Sequence, residues 1–191
     1  NTTASNNVAI GRQTLQQNTT GANNTALGRS ALSANTTAND NTSVGASSLQ
    51  ANTTGTNNTA VGRSALAVNT SPSNNTALGW KSLRLNTTGY NNTGVGSGSL
   101  YTITTGRDNT AVGKNTLYVN TGDFNTAVGS GALIANTTGD RNVAIGAGAL
   151  QTNTTAVDNV AVGNSSLYTN STGTNNTANG YLALRYNTTA S

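Results

Sequence analysis

The chain has 191 residues and a formal net charge of +4, from seven arginines and two lysines against five aspartates. Asparagine (32) and threonine (36) together exceed the whole apolar share of 34%, while histidine, cysteine, methionine and glutamate are absent. These counts exclude thiol and disulfide chemistry, histidine general-base catalysis and the usual zinc and haem ligand sets, and they point to a structural polymer rather than an enzyme. One tryptophan, one phenylalanine and six tyrosines are too few for a conventional core of this length. At 7% charged residues, the chain also lacks the charge that keeps disordered segments expanded. No apolar run is long enough for a transmembrane helix or a secretory signal, so membrane insertion is not expected.

Residues 1–6 read as the tail of a unit, and a repeat then begins. Glycine stands at 11, 28, 45, 62, 79, 96, 113, 129, 146, 163 and 180, at a spacing of 17 residues with one step of 16. Leucine follows each of these glycines by four residues and asparagine precedes each by four, from Asn7 and Leu15 to Asn176 and Leu184. The units therefore start at 7, 24, 41, 58, 75, 92, 109, 125, 142, 159 and 176. The short step falls at Asn120-Thr121-Gly122, where other units carry Asn-Thr-Thr-Gly. Residues 1–191 read as a single repeat array.

A period of 17 is too short for helical-hairpin repeats and suits one coil of an all-β parallel β-solenoid. Eleven coils at a strand spacing of about 4.8 Å make a rod on the order of 50 Å long. Within each unit the Thr-Ala-Val run, bounded by Asn and Gly, predicts a first strand. A second short strand is predicted from the leucine into Asn-Thr-Thr, closed at the next corner by glycine. That corner admits Ala38, Pro72, Ala156 and Ala190, so it does not need a positive φ, whereas the invariant glycine requires one or permits a close backbone approach.

Alternation places the Thr/Val position and the Val/Ile/Leu position two residues later on one face. The expected core is one Leu column plus one Val column, for example Val44 over Val61 and Leu49 over Leu66. On the second strand the leucine and the first threonine of Asn-Thr-Thr are expected to share a face, giving a ladder of Thr53 over Thr70. Asn179 breaks the Val column in the last unit. So thin a core leaves two arrangements open: a self-contained coil, or an obligate trimer in which the apolar faces of three copies meet. A short helical turn through Gly-x-x-Ala-Leu is a further alternative.

The stretches Asn7-Val-Ala-Ile-Gly11 and Asn142-Val-Ala-Ile-Gly146 resemble the core motif of the head repeats of trimeric autotransporter adhesins. The full unit, N-[TV]-[AS]-[VIL]-G-x-x-[AST]-L-x-x-N-T-T-G-x-N, is similar to repeats of phage tail-fibre-like and bacterial surface proteins, and the likeness covers the whole chain. It implies a trimeric or solenoidal extracellular fibre, on a cell surface or a virion. It transfers no functional residue.

Few residues offer chemistry. Asp40, Asp108 and Asp158 replace the Asn that ends a unit, and Asp123 and Asp140 lie in adjacent coils, close enough for a carboxylate pair; isosteric exchange at solvated turns is the simpler reading. The residue after the invariant glycine is Arg12, Arg29, Arg63, Trp80, Lys114 or Tyr181 in some coils, but Ala46, Ser97, Ser130, Ala147 and Asn164 interrupt the stripe, and +4 is a weak field for nucleic acid. Tyr101, Tyr118 and Tyr168 share the position after the leucine and are candidate ligand-facing aromatics for surface glycans. Sequons place candidate glycosylation at Asn18, Asn35, Asn52, Asn86, Asn136, Asn153 and Asn187, with a second series at Asn23-Asn24-Thr25 and its equivalents; the competing reading is that stacked amides form ladders. Ranks of threonine suggest ice binding, although Thr19 and Thr20 are adjacent and point to opposite faces.

The expected role is a non-catalytic structural shaft of an extracellular fibre or surface adhesin, with a phage tail-fibre shaft or a glycan- or ice-binding solenoid as alternatives. No cofactor, metal or nucleic-acid partner is expected. The expected partner is the chain itself, as a homotrimer or stacked head to tail, because residues 187–191 repeat the opening Asn-Thr-Thr-Ala-Ser and would continue the pattern in phase.

Overall fold

The computed structural model describes residues 3–191 as a β-solenoid. Each unit contributes one three-residue strand: β1 Val8–Ile10, β2 Thr25–Leu27, β3 Thr42–Val44, β4 Thr59–Val61, β5 Thr76–Leu78, β6 Thr93–Val95, β7 Thr110–Val112, β8 Thr126–Val128, β9 Val143–Ile145, β10 Val160–Val162 and β11 Thr177–Asn179. The strands form a single parallel sheet in chain order. Every residue pairs with its counterpart one coil away, as Thr42 with Thr59 and Val44 with Val61. The deleted threonine does not disturb this register: Thr110 pairs with Thr126 and Val112 with Val128. The deletion is absorbed in the turn before β8.

The inner and outer faces of the sheet are the reverse of the expectation. The central residue of each strand points inward, and Ala26, Ser43, Ala60, Ala77, Ala111, Ala127, Ala144 and Ala161 are fully buried. The Val/Ile/Leu column faces outward, with Leu78 47% and Ile145 41% exposed. The threonine column lies beside it on the same outer face. The reason is space. At Gly94 a methyl group would meet Leu83 Cδ1 at 2.5 Å and Ser82 Oγ at 2.7 Å, so the leucine column reaches up to the sheet and excludes a Cβ there, and the other coils hold nothing larger than Ala or Ser at this position. Asn179 accordingly interrupts a surface stripe, not the core.

No second strand forms, and the described residues contain no helix. The segment from glycine to Asn-Thr-Thr is a succession of turns. In the second coil Ala31 N donates to Gly28 O at 3.2 Å and Asn35 N to Leu32 O at 3.2 Å. Leucine takes a left-handed conformation in every unit, with φ between 46° and 50°. Such a conformation costs about 1–2 kcal/mol per residue, and full burial of a leucine side chain contributes about 1.5–3 kcal/mol, so burial offsets the strain. These turns still stack as a ladder: Leu15 N donates to Ala31 O at 3.1 Å and Leu32 N to Ser48 O at 3.1 Å.

Two asparagine columns complete the interior, in the place expected for threonine. Asn24 Nδ2 and Asn35 Nδ2 both donate to Ala38 O, at 2.8 and 3.1 Å. The same fork closes on Gly55 O from Asn41 and Asn52, both at 2.9 Å, and on Gly139 O from Asn125 and Asn136, both at 2.8 Å. Each column also bonds along the rod. Asn41 N donates to Asn24 Oδ1 at 3.0 Å, and Asn35 Nδ2 to Asn18 Oδ1 at 2.8 Å. A buried amide is tolerated when both its donor and its acceptor are used, and in every coil but that of Ile103 in the second column an asparagine is placed to partner the next.

Candidate functional site

The expected sequon series sits in the second of these columns. Asn18 is 2% exposed and Asn35, Asn52, Asn86, Asn136 and Asn153 are fully buried. Their Nδ2 atoms are committed to corner carbonyls. Asn187, in the last coil, is half-buried and bonds in the same way. A glycan on any of the six buried nitrogens would replace a ladder hydrogen bond and need a path out of the core. Asn23, Asn57, Asn74, Asn91 and Asn175, the acceptor positions of the second series, are exposed.

The acidic residues act at corners. Arg107 N donates to Asp123 Oδ1 at 2.9 Å, and Asp123 N to Asp140 Oδ1 at 2.8 Å. The same bond runs from Ala22 N to Asn39 Oδ1 at 2.7 Å and from Thr56 N to Ser73 Oγ at 3.0 Å. Asp123 and Asp140 thus cap the preceding coil, as Asn39 and Ser73 do. Asp158 receives Arg141 Nε at 2.7 Å and Nη2 at 3.0 Å. These hydrogen bonds hold its carboxyl below the ordinary aspartate range. Among the described residues no group of three or more acidic side chains is placed to hold a metal ion, and no helix is long and apolar enough to cross a membrane.

The aromatic candidates gather more than their spacing suggests. The Tyr101 and Tyr118 rings stack with centroids 4.9 Å apart and planes 3° from parallel. Arg84 Nη1 donates to Tyr101 Oη at 2.9 Å. Trp80 and Lys81 join the pair around a cavity of about 240 Å³, with Lys81 Nζ 4.1 Å from the Trp80 ring centroid. Tyr168 lies three coils further along and stacks on neither tyrosine. Its ring edge instead covers Gly148, where a methyl group would sit 3.6 Å from Tyr168 Cε2.

Gly98, Gly131 and Gly148 are the residues that sequence reasoning missed. They stand two residues after the invariant glycine, a left-handed position held in other coils by Gln13, Ser30, Ser47, Ser64, Lys81, Asn115, Ser165 and Leu182. Removing the side chain there leaves a trough. At Gly131 a methyl group would meet nothing within 4 Å. A second cavity of about 410 Å³ opens over Gly131 and Gly148, and it shares Asn115 and Ile134 with the first. In the sequence these three units, 6, 8 and 9, differ from the others at this position only in lacking a side chain.

No protein-family model, curated protein or solved structure matches the chain.

Proposed function

We propose that the chain is the repetitive shaft of an extracellular fibre, borne on a cell surface or a virion, and that its role is mechanical and non-catalytic. The observation that carries this reading is the outer face of the sheet. Two uncharged columns run its full length, Thr/Val in one and Val/Ile/Leu in the other, and Asn179 is the sole polar member of the second. Soluble monomers rarely expose a contiguous apolar patch above a few hundred Å². A stripe two columns wide and eleven coils long is covered when copies pack side by side, and three copies around an axis parallel to the rod bring three such narrow faces together.

Light scattering on the native protein tests this. The expected mass is three times the 19.1 kDa of the chain, with rods visible by electron microscopy. Val61→Lys with Val95→Lys should release folded monomers. A wild-type monomer at micromolar concentration overturns the lateral packing.

A second reading uses the same surface. The threonine column lies on the in-register parallel sheet, not on the Asn-Thr-Thr segment, where Asn35 is buried and the Thr36 hydroxyl donates to Thr53 O at 3.1 Å. Ordered threonine and valine methyl groups at strand spacing suit ice binding. Thermal hysteresis from a monomeric rod, abolished by Thr59→Lys, would favour it over the shaft.

A further inference from the structure

We infer that the trough between Trp80 and Tyr168 binds a linear acidic polysaccharide, a chain of hexuronate units laid along the rod axis. It lies on the turn segments, away from the outer face of the sheet, and so makes a site in addition to the lateral packing face.

Three features of the trough select this ligand. The first is the aromatic surface. Trp80 is 51% exposed and carries Lys81 on one face, and Tyr101 and Tyr118 are half-buried with parallel, stacked rings, which gives apolar carbon surface suited to sugar C–H groups, with polar edges for hydroxyls. Tyr101 is fixed by Arg84, so the platform is organised before any ligand arrives. The second is an elongated shape. The two cavities share Asn115 and Ile134 in their lining; the Asn115 side chain stands between Gly98 and Gly131, and at Gly131 a methyl group would meet nothing within 4 Å. An extended chain fits such a floor better than a compact molecule. Asn115, Gln151 and Asn164 border it, and each amide offers a donor and an acceptor to a sugar hydroxyl.

The third feature is charge. Lys81 and Lys114 line the trough and no carboxylate does. Four of the five aspartates, Asp40, Asp108, Asp123 and Asp158, are engaged as acceptors at the opposite corners of their coils, and Asp140 caps Asp123 there as well. No carboxylate therefore neutralises either lysine where the trough lies, and Lys81 rests on the Trp80 ring. A neutral glucan would leave them unused, whereas the carboxylates of a hexuronate chain meet them.

Titration calorimetry of the full chain with hexagalacturonate at low salt is the test, with maltohexaose and a short polyglutamate as the neutral and the merely acidic probes. Saturable binding of hexagalacturonate that weakens with salt is expected, with each control at least about tenfold weaker. Tyr118→Ala, and the pair Lys81→Gln with Lys114→Gln, should each weaken binding by about tenfold. Gly131→Gln fills the floor with a residue that the equivalent position already accepts at Gln13 and should abolish binding with the thermal melt retained. Absence of hexagalacturonate binding overturns the inference. So does equal binding of maltohexaose or polyglutamate, or binding indifferent to all three variants in folded protein.

Discussion

Asn52 and Asn35 are linked across adjacent coils by an amide hydrogen bond of 3.3 Å, Asn52 Nδ2 to Asn35 Oδ1, and both side chains are fully buried. Asn52 also donates to Gly55 O at 2.9 Å and accepts from Asn69 Nδ2 at 3.0 Å. One side chain thus holds its own corner, the coil before it and the coil after it. The asparagine surplus of the composition is a continuous polar spine inside the rod.

Replacing Asn52 by leucine, which branches at Cγ as asparagine does but carries no polar atom, removes all three bonds and leaves Asn35 Oδ1 buried without its donor. An unsatisfied buried group costs about 1–3 kcal/mol, so Asn52→Leu should lower the urea unfolding free energy by at least about 2 kcal/mol. Thr54→Ala, on an exposed residue of the same coil, should stay within about 0.5 kcal/mol of wild type.

The two glycine corners should respond differently to alanine. A Cβ at Gly62 would lie 2.5 Å from Gly79 O, and a Cβ at Gly55 would come similarly close to Pro72 O. Crowding alone does not separate them. Gly62, however, has φ 133°, a region open essentially to glycine alone. The second corner already carries Ala38 and Ala156 in other coils, so small backbone shifts relieve its contact. Gly62→Ala should destabilise by at least about 2 kcal/mol and Gly55→Ala by less than half as much, measured by chemical denaturation.

The coil length, the strand position and the invariant glycine were legible because each repeats at a fixed offset. The direction of the strand faces was not. Alternation divides Thr59 and Val61 from Ala60, but it does not say which side is inner, and valine's hydrophobicity suggested the wrong one. The inner volume is set by Leu66 and its stacked copies, a three-dimensional quantity that one strand's pattern does not contain. The second strand failed for a related reason: the left-handed leucine is atypical of leucine everywhere else, so propensity argued against the turn that burial selects. The sequons of the Asn18 series matched a surface motif while serving an interior spine. In the trough, Tyr101 and Tyr118 were readable from their spacing, but the empty floor at Gly131 was not, because it depends on what its neighbours leave uncovered.

Ile103 is the single gap in the Asn18 column, and it leaves a trace. Asn86 Oδ1 is buried without a partner, and Gly106 O accepts from Asn92 Nδ2 alone, at 2.8 Å. Ile103→Asn would give Asn86 its donor and Gly106 its second one, each worth about 0.5–1.5 kcal/mol, against about 1.5–3 kcal/mol of lost isoleucine burial. The two nearly cancel. Leu100→Asn in the same coil loses similar burial and gains no ladder partner. Thermal melts should therefore show Ile103→Asn near wild type and Leu100→Asn strongly destabilised.

The pH response follows from Asp158. Its hydrogen bonds with Arg141, and secondarily the guanidinium charge, lower its folded pKa below the unfolded value, with desolvation opposing them. A depressed carboxylate contributes stability that is fully present above the unfolded pKa and is lost as pH falls through the folded one. With no histidine in the chain, no side chain of ordinary pKa titrates between about pH 5 and 8. The melting temperature should accordingly be flat across that window and fall on acidification below the ordinary aspartate range. In Asp158→Asn the acid loss should shrink, because the neutral amide keeps one hydrogen bond to Arg141 without a proton to gain. The pair is solvent-exposed, so its contribution is small and screened by salt. Melts in low salt between pH 2 and 8, wild type against Asp158→Asn, check the sign: a wild-type rod that gains stability on acidification, or an unchanged acid loss in the variant, would remove Asp158 from the explanation.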